Sequence, residues 1–179
     1  TKDKEFWTSL RVTIVFALMT VPGKIILALA VAIFLNRDIR GINLIRTLYY
    51  IPSLFGGSVA IAILWKLMFL DNGPINAVLT ALRLPNVQFL GSTTWALPTI
   101  CLLEIWQFGS SMVMFLAALK NVPKSLYEAA EIDGAGITKR FWHITLPQIS
   151  PIIFFTVLNQ TIQALQNFTS ADVITEGGP

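Results

Sequence analysis

Four apolar runs, at about residues 10–35, 48–70, 95–119 and 149–168, limit what this chain can fold into. Each reaches the roughly 20 residues a helix needs to cross a hydrocarbon core of about 30 Å. The expected fold is therefore all-α: a polytopic membrane helical bundle with four transmembrane helices. Three connections join the runs, at residues 36–47, 71–94 and 120–148.

Composition agrees and removes other classes. Hydrophobic residues make up 54% of the 179 residues and charged ones 13%, where a soluble domain carries about a quarter. A formal charge of +3 without a basic run leaves no electrostatic footprint for nucleic acid. A mild Lys/Arg excess is instead what loops facing anionic lipid carry. Cys101 is alone, which excludes an internal disulfide and a cysteine-based metal site, and its apolar surroundings make it a small core residue. The chain lacks an initial Met and a signal-peptide layout, and residues 175–179 lead into no further span. We read it as one domain over residues 1–179, an internal fragment of a longer subunit.

Basic residues accumulate in cytoplasmic loops, so their placement orients the bundle. The first connection carries Arg37, Arg40 and Arg46, and the third Lys120, Lys124, Lys139 and Arg140. The second has Arg83 alone. The N-terminal flank, with Lys2, Lys4 and Arg11, runs against this pattern, yet seven basic residues against four place the first and third connections in the cytoplasm. On the outer side, Asp71-Asn-Gly-Pro74 is a turn cluster, and residues 75–84 form a short apolar stretch suited to the interface. Pro52 and Gly56-Gly57 interrupt the second run, for packing or for lining a cavity.

The third connection is the most patterned. Pro123 suits a first helical turn, and residues 124–132 are good helix formers. Asp133-Gly134-Ala135-Gly136 then stops the helix, since glycine readily takes the left-handed conformation that ends one. A second short helix is expected over 138–145, with Pro147 opening the next span. Ala129 and Ala130 offer a small surface for close approach. Glu128, Glu131 and Asp133 can pair with basic groups, and Phe141 and Trp142 are aromatic anchors. The plainer reading is an amphipathic loop resting on the membrane.

Residues 128–147 contain E-A-A-x3-G-x9-I-x-L-P, seven identities over twenty positions. This spacing resembles the cytoplasmic coupling loop of ABC importer permeases. Asp133-Gly-Ala135 with Phe141-Trp142-x-Ile144-Thr-Leu-Pro147, and Asn36-Arg37 with Arg46-Thr-Leu-Tyr-Tyr-Ile-Pro52, resemble the carbohydrate, maltose-type branch. Gly177-Gly178-Pro179 resembles that branch's outer loop before the last span. The resemblance implies a bacterial inner-membrane subunit, here without its first and last spans. It implies that Glu128, Ala129, Ala130, Asp133, Gly134, Ile144, Leu146 and Pro147 form the coupling element. The implied partners are ABC ATPase subunits, a second permease subunit of paralogous type and an extracytoplasmic solute-binding protein. No G-x4-G-K-[ST] loop occurs, so ATP and Mg would be used by the ATPase and no cofactor bound here.

Ionisable and amide groups at membrane depth are functional candidates by default. Lys66 lies near the end of its run and can snorkel to the interface. Lys24 is mid-span, has no assigned partner, and suits a helix contact or a substrate contact. Glu104, Gln107 and Ser111 share one helical face. Asn159, Gln160, Gln163, Gln166 and Asn167 form a stronger stripe, with 159, 163, 166 and 167 at helical spacing. Amides both donate and accept, which suits a neutral polyhydroxyl solute, but they also tie helices together. Asn159, Gln163, Gln166, Asn167, Glu104 and Gln107 are the candidate substrate path.

A membrane enzyme built on Glu128, Glu131, Asp133 and His143 is a weaker reading, since their spacing matches no ligand motif. A receptor or channel without an ATPase is another. Within the importer class, glycerol phosphate or an amino acid derivative is the alternative cargo to sugar.

Overall fold

Residues 4–37, 41–167 and 173–174 are described in a computed structural model; Lys2, Arg40 and Phe168 lie outside them, as do residues 175–179. The described residues contain nine α-helices and one π-helical turn, and no strand.

The first run forms α1 (Lys4–Leu35), with Pro22 inside it. It is the hub of the bundle, packing against α5 (Ala96–Trp106), α6 (Gly109–Lys120) and α9 (Leu146–Leu165). Helices in lipid gain little from burying apolar surface against one another, so close backbone approach decides which faces meet. Ala28 and Ala32, one turn apart, are fully buried. Gly23 serves the same purpose, because a Cβ there would lie 2.7 Å from Ile105 Cδ1. Met112 and Phe115 of α6 fill the centre and are completely covered, and Cys101 is buried as expected.

The second run departs from one straight span. It folds as α2 (Ile42–Leu54) and α3 (Val59–Met68), bent by 98°. The break sits where Pro52 and the glycine pair place it, with Gly57 left-handed at φ +73°. The start was missed, because α2 begins at Ile42 rather than at residue 48. Its polar first turns are used: Arg46 donates to Leu35 O at 2.7 Å and to Asn43 Oδ1 at 2.9 Å. A side chain that reads as loop charge thus satisfies an orphan carbonyl at the end of α1.

The third run is also bent, by 43° between α5 and α6, although nothing in its apolar pattern marks the place. The fourth corrects the expected second loop helix. Helix α8 (Ile137–Arg140), a π-turn (Phe141–Thr145) and α9 follow without interruption, so Pro147 does not divide loop from span. Proline ordinarily clashes with the carbonyl four residues back. The wider turn, closed by Leu146 N–H on Phe141 O, precedes Pro147 and gives its ring room. Pro151, further along α9, has no N–H for Pro147 O, and Ser150 Oγ donates to that oxygen instead at 2.8 Å.

Two stretches, Phe6–Leu35 and Ile137–Leu165, are long and apolar enough to cross a membrane by themselves. The two bent pairs qualify only as pairs, which makes four spans if each counts as one. The membrane-length window of α1 is 39% buried and that of the last stretch 17%, so the latter leaves most of its surface to lipid or protein neighbours.

The second connection contains α4 (Pro74–Ala81), fastened by a buried Asn76. Its side chain exchanges hydrogen bonds with both backbone groups of Val87, at 3.0 Å each, and also donates to Leu70 O at 3.3 Å. Nearby, Trp65, Phe69, Phe89 and Trp95 stack in series.

Candidate functional site

Helix α7 (Lys124–Ile132) is only lightly packed on the bundle, with Tyr127 resting against its core. Pro123 serves as its N-cap, one position before the first turn expected for it. At the other end Gly134 is left-handed at φ +72°. Gly134 N–H bonds Glu131 O at 3.0 Å and Ala135 N–H bonds Ala130 O at 2.8 Å. This is a Schellman motif, and it closes the helix with its own backbone.

Two side-chain contacts hold α7 against the following helix. Tyr127 OH meets Thr145 Oγ1 at 2.8 Å, and Arg140 Nη1 donates to Glu131 Oε2 at 3.2 Å. The remaining face is open. Glu128, Ala129, Asp133, Gly134 and Pro147 are exposed and Ala130 is half-buried. Ile132 and Ile137, at 88% and 81% exposed, are the barest large apolar side chains among the described residues. Ile144 and Leu146 are half-buried, and Ile144 packs on the core. Of the eight expected coupling residues, five are thus exposed, while Ala130, Ile144 and Leu146 are half-buried. Phe141 and Trp142 pack edge to face, with Trp142 exposed. Among the described residues no group of three His, Cys, Asp or Glu side chains can hold a metal, so Glu128, Glu131, Asp133 and His143 form no such cluster.

The membrane-depth polar residues converge where α1, α5, α6 and α9 meet. Asn167 Nδ2 donates to Glu104 Oε1 at 2.7 Å, and Gln160 Nε2 to Ser111 Oγ at 3.1 Å. Between these bonds the bent α5–α6 pair runs from 104 to 111 while α9 and the residues after it run back from 167 to 160, so the two are antiparallel. Lys24 has a partner after all, its Nζ lying 4.0 Å from Glu104 Oε2. Lys24, Glu104, Gln160 and Gln163, with Phe16, Thr20, Val21 and Ala164, line a narrow cleft with room for about one water molecule.

The candidate path is thus partly assembled and partly redistributed. Glu104, Gln163 and Asn167 come together, and Asn159 joins through Gln163, whose amide donates to Asn159 Oδ1 at 2.6 Å. Gln166 is exposed at the C-cap of α9, outside the cleft. Gln107 leaves the shared face with Glu104, because the α5–α6 break rotates it toward the α2–α3 bend. There a Cβ on Gly56 would lie 3.0 Å from Gln107 Oε1. The buried Gln160 and Lys24 belong to the assembled set. Both were visible as polar residues in apolar runs, but burial and pairing depend on which helices meet.

The break itself is bridged. Ser53 Oγ of α2 donates to Gln107 O and accepts from Ser110 N–H, both at 3.1 Å. Its approach requires Gly109, where a Cβ would come within 2.6 Å of Tyr49 O and 2.7 Å of Ser53 Oγ.

Residues 4–179 match the family described as binding-protein-dependent transport system inner membrane component. The chain is 47% identical over its whole length to the probable ABC transporter permease protein YesP of Bacillus subtilis (strain 168), covering 59% of that protein. It is 37% identical over 98% of its length to the lactose transport system permease protein LacF of Rhizobium radiobacter, covering 60%. The chain therefore spans about 60% of the length of these relatives. Its fold matches the crystal structure of a bacterial ABC transporter involved in import of the acidic polysaccharide alginate. That match has a TM-score of 0.81 at 24% identity and covers 97% of this chain and 62% of the other.

Proposed function

Because this chain belongs to the family of binding-protein-dependent transport system inner membrane components, we propose that it forms half of the membrane path of an ATP-driven sugar importer. The similarity over the whole chain to permeases, one of them named for lactose, supports a sugar or oligosaccharide as cargo. Glycerol phosphate remains the second reading, supported by 34% identity to a permease named for sn-glycerol-3-phosphate transport.

The observation that carries the mechanism is the exposed end of α7. A short helix closed by its own backbone, with Ile132 and Ile137 bare beside Glu128, Ala129 and Asp133, suits a socket on another protein. In this reading the loop is cytoplasmic and receives an ATPase subunit, which binds the ATP and Mg that this chain does not. A second permease subunit covers the exposed faces of the bundle, and a solute-binding protein delivers cargo from outside. Closure of the ATPase pair pushes α7. The π-turn makes the loop continuous with α9, so the push passes directly to the helix carrying Gln160 and Gln163. Rigid movement of an element about an interface is a recognised mode of switching.

The test is the double substitution Asn159→Leu with Gln163→Leu in the assembled transporter. Uptake of radiolabelled sugar should fall at least about tenfold, while the ATPase subunit still co-purifies. Wild-type uptake would remove these amides from the path. Failure of the unaltered chain to co-purify with any ATPase subunit would remove the importer reading itself.

A further inference from the structure

We propose that Glu104 sets the charge preference of the membrane path by neutralising Lys24 on its wall. The proposal rests on the import reading above and deepens it, naming what selects neutral from anionic cargo.

Both groups line the cleft between α1 and α9, together with Gln160 and Gln163. The side chain of Lys24 is 9% exposed and that of Glu104 is 19%, so neither reaches bulk water freely. The carboxylate is oriented: Oε1 accepts from Asn167 and Oε2 faces Lys24 at 4.0 Å. The position of Lys24 follows from the fold, since the preceding Gly23 lets α1 press against Ile105, the residue after Glu104. An ionised group inside a membrane bundle is costly alone and tolerable when paired. Together the two leave a wall that is hydrogen-bonding and electrically balanced. Such a wall receives hydroxyl groups and gives a carboxylate or phosphate no unmatched cation.

Removing one partner tips the balance in a defined direction. Glu104→Gln keeps an acceptor for Asn167 and frees the Lys24 charge to attract an anion. Lys24→Met removes the cation beside that carboxylate and leaves the site more negative, which repels one. Specificity is a difference of two affinities, and an unpaired charge acts on one cargo only.

The experiment measures equilibrium binding to the detergent-purified transporter, assembled with its partner subunits but without the solute-binding protein. Lactose, maltose and trehalose serve as neutral probes, and digalacturonate and glycerol 3-phosphate as anionic ones. Glu104→Gln should shift the anionic-to-neutral affinity ratio upward by about tenfold or more, and Lys24→Met should shift it downward. The double variant should return toward the wild-type ratio. An unchanged ratio in both single variants, or a double variant no closer to wild type than either, would overturn the proposal. Should the single variants fail to assemble, the exchanged pair Lys24→Glu with Glu104→Lys carries the test, because it keeps the wall neutral. It should hold the wild-type ratio, and a shifted ratio would overturn the proposal. Wild-type transporter that binds none of the sugars overturns the sugar-import reading, a result distinct from an unchanged ratio.

Discussion

The chain ends one helix in its polar loop and breaks another at membrane depth, and the two use opposite chemistry. At the end of α7 the freed groups are closed locally, by Gly134 N–H on Glu131 O and Ala135 N–H on Ala130 O. Between α5 and α6 the freed groups, Gln107 O and Ser110 N–H, are closed by Ser53 Oγ from another helix. Water could complete the first without any side chain. A lipid-surrounded break has no such supply, so an opened backbone group there requires a partner within the protein. A loop can therefore stop a helix with a motif, whereas a span needs a tertiary contact.

The largest effect should come from separating the partners at the break. Gly109→Ala puts a methyl group within 2.6 Å of Tyr49 O and 2.9 Å of Tyr50 Cα, both backbone atoms that cannot swing aside. Overpacking of this kind costs about 1–3 kcal/mol, and here it also displaces the Ser53 bridge. Ser53→Ala removes the bridge alone and leaves Gln107 O and the Ser110 N–H without it, at about 1–3 kcal/mol for the two bonds. Thermal unfolding in detergent should rank Gly109→Ala below Ser53→Ala, and both below wild type. Equal stability of Ser53→Ala and wild type would show that something other than Ser53 closes the break.

The same contrast explains what could be read from residues alone. Residues 124–132 were legible as a helix and 133–136 as its stop, because every group involved lies within one short stretch. The bend of the second run was legible for the same reason, carried by Pro52 and Gly57. The bend at Gln107 was not: Leu103-Glu-Ile-Trp-Gln-Phe-Gly109 contains no proline, and its closing hydroxyl lies more than fifty residues away. Arg46 as a cap for α1, Asn76 as the clasp on Val87, and Glu104 as the partner of Lys24 were hidden likewise. Helix α9 was cut too late because Pro147 normally stops a helix, and only the preceding π-turn accommodates it.

A third substitution asks whether the loop really stands by itself. At Gly134 an added Cβ meets nothing within 4 Å, so Gly134→Ala costs only the left-handed backbone strain, about 1–2 kcal/mol. That strain falls on α7, which can fray without opening the bundle, so the thermal midpoint should move less than for Gly109→Ala. Gly134→Trp adds bulk to the same exposed face. In the assembled transporter it should abolish uptake while ATP hydrolysis continues. Intact uptake in Gly134→Trp would count heavily against this face as the ATPase socket, and a midpoint as low as that of Gly109→Ala would dissolve the contrast.

The smallest effect has the opposite sign, and it comes from a second Schellman motif. After α4, Arg83 N–H bonds Thr80 O and Leu84 N–H bonds Leu79 O, both at 2.9 Å, the same closure as after α7. The left-handed position, however, is held by arginine at φ 59° rather than by glycine. No glycine marked this stop in the sequence, yet local bonding closes it just the same. Arg83→Gly should therefore relieve strain and raise stability, by about 1 kcal/mol at most after the added freedom of the unfolded chain is counted. It also removes the one basic residue of the second connection, the loop that the charge rule expects to face outward. Thermal unfolding of purified Arg83→Gly should show a small rise. A fall instead would mean that the Arg83 side chain makes a contact worth more than its strain, and that this stop, unlike the one at Gly134, depends on more than its own backbone.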